Sequence, residues 1–261
     1  MTGLVEHLAD RVTFELEALG ASRFAGLSEQ SQRHHRRIVP LDSSGFPLGA
    51  IVTTRVVPMN THRRTAMLLV RHGQSIWNVE RRWQGRADPA LSDHGRHQAS
   101  LAAANLGNVD VIVSSPLSRA LETAVIISSQ LGVGPVQMVE DLQERDAGAW
   151  SGLTTDEIET DWPGWINSNR RPEGWEHDWP LLERALTAFE SIIAEFEGAD
   201  LLLVSHGGLI LVVEEHLRVS NGRIPNLHGR LVHHVSGELV AGDRLELIPP
   251  ESSTGGTGGR V

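Results

Sequence analysis

The chain has 261 residues, 40% of them apolar, and a formal net charge of −10 at neutral pH, which allows one sizeable core with or without a small appendage and argues against a nucleic-acid partner. It contains no cysteine, so disulfides, thiolate metal sites and cysteine nucleophiles are excluded. No apolar stretch approaches the roughly 20 residues that cross a bilayer, and the first residues lack a signal-peptide pattern, so we expect a cytoplasmic protein without a membrane partner.

Residues 1–64 differ in composition from the rest of the chain. They contain one plausible amphipathic helix, Leu4 to Leu19, then the basic, histidine-rich stretch 33–37 and a segment interrupted by proline and glycine. We predict an N-terminal extension of unassigned role that is partly disordered. Two alternatives stay open: a regulatory or partner-binding segment, and a natural translation start at Met67.

From Thr65 onward, predicted strands and helices alternate, which favours an α/β fold. We predict a three-layer sandwich over residues 65–250, in which a mostly parallel central sheet carries helices on both faces. The predicted strands span residues 67–71, 110–114, 136–139 and 201–205, with edge or hairpin strands at 230–236 and 244–248, joined by a turn at 236–237 or at 241–243. The predicted helices span residues 92–106, 117–131, 181–197 and 207–217. The Gly/Ser/Thr-rich tail 251–261 is predicted to be flexible.

Three of the predicted strands lead directly into polar residues. Because open α/β sheets place their ligands outside the carboxyl ends of the strands, we expect these residues to meet at one edge of the sheet. The strand-end residues are Arg71-His72-Gly73, the segment Ser114 to Arg119, and Ser205-His206. Two histidines and two arginines at one edge predict a pocket for a phosphate group.

The chemistry of such a pocket starts from His72. An imidazole at a strand end, with Gly73 allowing close backbone approach, can attack phosphorus and form a phosphohistidine. Arg71 and Arg119 supply positive charge in a geometry that matches phosphate oxygens. His206 opens a predicted helix, where backbone N–H groups favour an anion, and as a donor it would stabilise the transferring phosphoryl group.

The departing oxygen needs a proton donor. Glu144 follows the predicted strand 136–139 and could reach the same edge as a general acid, then act as a base toward water. On the residues alone, Asp146 and Glu140 compete with it for this role.

Four ordered blocks over residues 67–217 closely resemble the histidine phosphatase superfamily, also called phosphoglycerate-mutase-like. A lone Arg-His-Gly would carry little weight, whereas four blocks in order carry much more. The blocks are LVRHGQSIWN at 69–78 with QGRAD at 84–88 and LSDHGRHQA at 91–99, SSPLSRALETA at 114–124, residues 142–153, and VSHGG at 204–208.

The resemblance implies a role for each residue of the predicted pocket. His72 would be the phosphorylated nucleophile and Glu144 the proton donor, and Arg71, Arg119 and His206 would complete the phosphate pocket. Asn78 would add a hydrogen bond to phosphate. The other positions that line the pocket in relatives are Ser75, Gln84, Gly85 and Gly207.

The family needs neither a metal nor a cofactor, so none is expected here. Accordingly, the paired histidines elsewhere in the chain are interpreted as surface or strand residues, because no supporting carboxylate pattern accompanies them. These pairs are His34–His35, His94 with His97, and His233–His234.

Departures from the family pattern favour a hydrolase. Phosphoglycerate mutases of this family typically follow the acid with a tyrosine and a lysine that hold the substrate, whereas this chain has no tyrosine. The resemblance then implies a metal-independent phosphomonoester hydrolase that acts through phosphohistidine on a small phosphorylated metabolite. Mutase-type phosphoryl transfer, a phosphohistidine-protein phosphatase and, more remotely, a non-catalytic interaction protein on the same fold stay open as alternatives, as does a homodimer.

Four of the seven tryptophans lie within residues 162–179, where Arg170 and Arg171 separate them into two pairs. They could form a lid over the organic part of a phosphate ester, with the arginines meeting a second anionic group. We favour the alternative, that the rings fix a long insertion onto the core.

Overall fold

The computed structural model describes residues 64–220 and 222–249. The chain divides between Thr61 and His62, and the description below concerns the second part. The predicted helix from Leu4 to Leu19, the basic stretch 33–37 and the tail 251–261 lie outside the described residues, so the predictions made for them stay predictions.

Six strands form one mixed sheet in the order β3-β2-β4-β1-β5-β6. Strand β1 pairs in parallel with β4, β4 with β2, and β2 with β3, whereas β5 and β6 add an antiparallel hairpin beside β1. The strands are β1 Thr65–Arg71, β2 Val111–Ser114, β3 Gln137–Met138, β4 Asp200–Ser205, β5 His228–Val235 and β6 Glu238–Glu246.

Helices cover both faces of this sheet. Helices α5 and α6 share one hydrophobic cluster with the sheet, and α2 and α3 share the other. The helices are α1 Ile76–Val79, α2 Asp93–Asn105, α3 Ser118–Leu131, α4 Thr155–Asp161, α5 Asp178–Glu195 and α6 Gly207–His216. The predicted three-layer α/β sandwich with a mostly parallel sheet is therefore confirmed.

The apolar runs of the central strands follow from this arrangement. In β4, Leu201 and Leu203 belong to the cluster with α5 and α6, whereas Leu202 and Val204 belong to the cluster with α2 and α3. A strand buried on both faces has no polar positions to alternate with apolar ones. The apolar run ends where the strand leaves the core, so polar residues can follow it at the edge of the sheet.

Local signals explain several helix boundaries. The Ser92 side chain accepts a hydrogen bond from the backbone of Gly95 and begins α2, and Gly132 ends α3 in the left-handed conformation at φ 69°. The short helices α1 and α4, each of which begins with a capping box, were not predicted. Within the described residues, no helix has the length and apolar character to cross a membrane.

The C-terminal hairpin corrects one prediction. Its turn lies at Ser236–Gly237, both with positive φ, and β6 begins at Glu238 rather than at residue 244. The alternative turn at 241–243 is wrong, because Gly242 lies inside β6 and its carbonyl accepts a hydrogen bond from Arg230 Nη1 at 2.7 Å.

His233, on β5, is buried in an unusual way. Its side chain is 3% exposed, and neither ring nitrogen has a hydrogen-bond partner among the residues that the structure describes. Burial, with a smaller contribution from the charge of Arg64, lowers the pKa of His233 to about 4. The folded protein therefore holds this ring neutral under conditions in which the unfolded chain protonates it.

This pKa difference predicts a pH-dependent stability. Between about pH 6.5 and pH 4 the unfolded state binds more protons at His233 than the folded state does, so the free energy of unfolding falls as the pH falls. We expect His233→Leu to reduce this dependence but not to abolish it, because the pKa values of His72 and His206 are also lowered in the folded protein. Urea unfolding near pH 7.5 and near pH 5 measures it. The control is His234→Leu on the same strand, and an unchanged pH dependence in His233→Leu would contradict the prediction.

Candidate active site

Three strand ends meet at the carboxyl edge of the sheet. Arg71 pairs with Ser205 across β1 and β4, and Ser114 pairs with Val204 across β2 and β4. One step further on, the His72 amide donates to the carbonyl of Ser205 at 3.0 Å. The ladder therefore brings His72, His206 and the start of the β2–α3 connection side by side, as predicted from the apolar runs.

His72 is held in one tautomer by its own backbone. Its Nδ1 lies 2.6 Å from the carbonyl oxygen of Gly73, and because a carbonyl only accepts, Nδ1 carries the proton. The other ring nitrogen, Nε2, accepts a hydrogen bond from Arg119 Nε at 3.2 Å. Nε2, which carries the lone pair, is thus the ring atom presented to the pocket.

The surroundings keep this imidazole neutral. The ring is 2% exposed, and burial, followed by the charges of Arg119 and Arg71, lowers the pKa of His72 well below its ordinary value of 6.5. A neutral ring, which keeps a lone pair on Nε2, is the form that can attack phosphorus.

Arg119 is oriented by the backbone of the loop after α1. Its Nη1 donates to the carbonyl of Ala87 at 2.7 Å and its Nη2 to the carbonyl of Gly85 at 2.9 Å, which turns the Nε edge toward His72. Gly85 has φ 52°, and a Cβ there would lie 2.7 Å from the backbone nitrogen of Ala147. A glycine is therefore required at this predicted pocket position.

Arg71 is the second buried cation. It is 4% exposed, its Nη1 donates to the carbonyl of Ile224 at 2.8 Å, and its Nε has no partner within the described part of the chain. Burial, with Arg223 as the next cause, lowers the pKa of Arg71 to about 9, and burial lowers that of Arg119 to about 10. An anion bound between them would relieve this unfavourable desolvation.

His206 faces His72 across the strand ends. The two ring centroids are 5.2 Å apart, at an interplanar angle of 60°. Its Nε2 lies 2.8 Å from Ser115 Oγ, and its buried Nδ1 has no partner in residues 64–220 or 222–249. Burial is the largest cause that lowers the pKa of His206 well below 6.5, and the charges of Arg119, Arg71 and Arg184 act in the same direction. Gly207, also among the predicted residues, is the first residue of α6 behind it.

Glu144 reaches the same edge and is 6% exposed. Its Oε1 accepts from the Arg145 amide at 2.7 Å and its Oε2 from the Gly208 amide at 3.1 Å, beside His206. The other two predicted acids lie differently: Glu140 is exposed and contacts Gln143, and Asp146 Oδ1 accepts from the Gly148 amide at 2.9 Å. The structure thus separates Glu144 from its competitors.

Ser75, Asn78 and Gln84 form a connected group behind the phosphate residues. Ser75 and Asn78 cap α1 reciprocally, and Ser75 Oγ donates to Gln84 Oε1 at 2.8 Å. The side-chain oxygen Oδ1 of Asn78 accepts from the Ser75 backbone amide at 3.0 Å. A hydrogen bond from Asn78 to phosphate therefore has to come from its side-chain nitrogen, Nδ2.

Sequence reasoning assigned no role to Ser115, Thr123 or Asn226, which also contact the site. Thr123 Oγ1 accepts from the Gly73 amide at 3.1 Å and donates to the carbonyl of Arg119 at 2.7 Å. Asn226 Nδ2 donates to the carbonyl of His72 at 2.8 Å. Thr123 could have been found from its helical spacing after Arg119 and Ser115 from its place at a strand end, whereas Asn226 gives no local signal.

The tryptophans of residues 162–179 are mostly structural. Trp175 packs edge to face on Trp83 at 5.9 Å and on Trp150 at 5.6 Å between ring centroids, and Arg171 lies over Trp175 at 5.0 Å. This cluster also includes Trp162 and Trp165. The packing of Trp162, Trp165 and Trp175 favours the interpretation that these rings fix the insertion onto the core, whereas Trp179 is exposed.

The prediction that the site uses no metal remains a prediction. Across residues 64–220 and 222–249, no group of three or more histidine, aspartate or glutamate side chains could hold a metal ion. The His34–His35 pair lies outside the described residues, and His94 and His97 are exposed on α2.

Comparison with known proteins identifies the family. The histidine phosphatase superfamily (branch 1) matches residues 67–236, and the chain therefore belongs to this superfamily. The matched region contains the two histidines, both arginines and Glu144 described above.

Two of the named relatives are phosphatases with different substrates in their names. Glucosyl-3-phosphoglycerate phosphatase of Mycobacterium tuberculosis is 36% identical over 170 residues, covering 59% of this chain and 76% of the relative. Metal-independent phosphoserine phosphatase of Arabidopsis thaliana is 32% identical over 183 residues, covering 65% and 76%. The solved mycobacterial glucosyl-3-phosphoglycerate phosphatase Rv2419c with VO3 superimposes with a TM-score of 0.61 at 32% identity, covering 69% of this chain and 96% of that one.

The chain matches some relatives over only part of the relatives' length. Three curated mycobacterial relatives are 39% identical over 150 residues, and the chain spans only 41% of their length.

Proposed function

We propose that this protein is a metal-independent phosphomonoester hydrolase that acts through a phosphohistidine intermediate. The observation that carries the proposal is the state of His72: its Nδ1 proton is held by the Gly73 carbonyl, which leaves the Nε2 lone pair beside the Nε of Arg119. Family membership and the phosphatase relatives support the reaction class.

In the first step, His72 Nε2 attacks the phosphorus of a phosphate monoester. The new N–P bond forms as the ester P–O bond breaks, and Glu144 donates its proton to the departing oxygen, which leaves as an alcohol. Arg119 exchanges its contact with Nε2 for phosphate oxygens. Together with Arg71 and His206 it offsets the charge on the transferring group.

In the second step, water attacks the phosphohistidine. The Glu144 carboxylate, now without its proton, accepts one from the water as the new P–O bond forms and the N–P bond breaks. Inorganic phosphate leaves, and His72 and Glu144 return to their starting states. Each proton and each bond is therefore accounted for within one turnover.

We propose water, rather than a second substrate oxygen, as the acceptor. The support is compositional: the chain has no tyrosine, and residues 146–152 replace the substrate-holding tyrosine and lysine of mutases with Asp-Ala-Gly-Ala-Trp-Ser-Gly. The proposed substrate is a small phosphorylated metabolite in the cytoplasm, and neither nucleic acid nor a membrane is proposed as a partner.

Hydrolysis of p-nitrophenyl phosphate by the full chain in the presence of EDTA tests the proposal. We expect release of p-nitrophenol and phosphate at a rate that EDTA does not change. Loss of all activity in EDTA, restored by a divalent cation, would contradict metal independence. Conversion of 3-phosphoglycerate to 2-phosphoglycerate without phosphate release would instead support the mutase alternative.

A further inference from the structure

The segment that carries Glu144 is held in place by side chains. Strand β3 contains only two residues, Gln137–Met138, and the chain then passes through a 3-10 turn at Glu140–Leu142 before it reaches Glu144. A backbone that leaves the sheet so early needs other partners for its carbonyl groups. Their identity determines how firmly the acid is positioned.

Four consecutive carbonyls, at residues 141–144, accept hydrogen bonds from two side chains. Ser205 Oγ, at the end of β4, donates to the carbonyl of Leu142 at 2.8 Å. The other three accept from Arg184 of helix α5: Asp141 and Gln143 from Nη1, each at 2.7 Å, and Glu144 from Nη2 at 3.0 Å. One guanidinium therefore spans the whole acid-bearing segment.

Arg184 also pairs with a carboxylate. Its Nε lies 2.8 Å from Glu176 Oε1 and its Nη2 lies 2.9 Å from Glu176 Oε2, so all of its N–H groups are engaged. The two side chains are 14% and 12% exposed. Burial acts to raise the pKa of Glu176, but the bonds from Arg184 hold it below its ordinary value. This nearly buried ion pair fixes the guanidinium plane against the carbonyls.

Glu176 also bonds the backbone of Asp146, which follows Glu144 in the same loop. Its Oε2 accepts from the Asp146 amide at 3.1 Å, and its own amide donates to the carbonyl of Asp146 at 3.0 Å. The backbone on both sides of Glu144 is therefore tied to the Arg184–Glu176 pair. The carboxylate of Glu144 itself contacts neither of them and remains directed at the pocket by the Arg145 and Gly208 amides.

We propose that Arg184 is a positioning residue for proton transfer by Glu144. The inference rests on the proposed function, because it assigns Arg184 a role in that reaction. A general acid must lie within hydrogen-bond reach of the departing oxygen, and a displacement of about 1 Å can cost on the order of 10²-fold in rate. Lysine would keep only part of this set of bonds, because three N–H donors on one nitrogen cannot bond three carbonyls and a carboxylate at once.

The dependence of rate on the leaving group separates positioning from a merely structural role. Phenyl phosphate needs protonation of its departing oxygen, whereas 2,4-dinitrophenyl phosphate, with a much less basic leaving group, does not. We expect Arg184→Gln to lower kcat/KM for phenyl phosphate by about 10- to 100-fold and for 2,4-dinitrophenyl phosphate by less than about threefold. Glu144→Gln sets the reference pattern for complete loss of the acid.

A double-mutant cycle with p-nitrophenyl phosphate gives a second readout. If Arg184 acts through Glu144, Arg184→Gln lowers kcat/KM in the wild-type background but changes it by less than about twofold in the Glu144→Gln background. Arg184→Lys and Glu176→Gln, which are milder changes, are expected to give smaller shifts in the same direction, and they serve if Arg184→Gln does not fold.

Arg82→Gln is the matched control. Arg82 also joins a backbone carbonyl to a carboxylate, at Gly152 and Glu157, but it has no contact with the segment 141–144. We expect its kcat/KM values to stay within about twofold of wild type for all three esters.

An equal loss on all three esters, or an undiminished loss in the Glu144→Gln background, would overturn the role of Arg184 while leaving the phosphatase proposal intact. Failure of the wild-type protein to hydrolyse any of the esters would instead refute the proposed function.

Discussion

A His72→Ala variant is expected to lose at least about 10⁴-fold in kcat/KM for p-nitrophenyl phosphate, because the residue that forms the covalent intermediate is gone. Arg71 and Arg119, the cations of the described pocket, are not nucleophiles, and His206 has a different proposed role, the stabilisation of the transferring phosphoryl group. The remaining pocket would still bind phosphate, so the loss falls mainly on kcat.

His97→Ala is the control for this prediction, since His97 is an exposed histidine on α2. Its activity is expected to match that of the wild type. Thermal unfolding of both variants checks that His72→Ala retains the fold, because the substitution removes a ring that is only 2% exposed. Activity of His72→Ala within tenfold of the wild type, in a folded protein, would refute covalent catalysis by this residue.

Glu144→Gln gives the second large effect, and it depends on the substrate. Glutamine keeps the shape of the side chain but cannot donate the proton, so kcat/KM for phenyl phosphate should fall by about 10²- to 10⁴-fold. The side-chain amide of the variant must also face the two backbone N–H groups that, in the wild type, donate to the carboxylate oxygens of Glu144. For 2,4-dinitrophenyl phosphate, whose leaving group needs no proton, the loss in kcat/KM should be much smaller.

The neighbouring acids provide the controls for Glu144. Glu140→Gln and Asp146→Asn change the two carboxylates that competed with Glu144 on sequence grounds. Neither is expected to alter the ratio of kcat/KM between the two esters. A leaving-group dependence that appears in Asp146→Asn and not in Glu144→Gln would reassign the general acid.

The residues that sequence predicted well lie at the ends of buried strands. Arg71, His72 and His206 follow apolar runs whose length and composition mark central strands, and parallel pairing then brings the strand ends together. Arg119 was predictable for a related reason, because it lies in the first turn of the helix that follows β2. Local pattern and sheet topology together determine these positions.

Other parts of the site depend on contacts that no local pattern encodes. Arg184 lies 40 residues beyond Glu144 and Asn226 lies 154 beyond His72. Each meets its partner only because helix α5 and the loop after α6 pack against the sheet edge. A single arginine in an amphipathic helix looks like a solvated surface residue until its partners are known.

The C-terminal hairpin shows how two local signals can compete. Ser236–Gly237 and residues 241–243 both contain glycine, and each is compatible with a turn. The turn forms at the first, where both residues adopt positive φ. Gly242 instead allows close packing, since a Cβ there would lie 3.3 Å from His233 Nε2 and from Leu231 Cβ. Tertiary contacts, rather than turn propensity, decided between the two.

The most direct test of the central claim is to trap the phosphoryl group on the enzyme. Glu144→Gln mixed with 2,4-dinitrophenyl phosphate should form the intermediate readily, because departure needs no acid, and hydrolyse it slowly, because the base is missing. We predict a stoichiometric burst of dinitrophenol and a single acid-labile, base-stable phosphate that peptide mass spectrometry assigns to His72. Absence of a burst, or a phosphate on any other residue, would contradict the account.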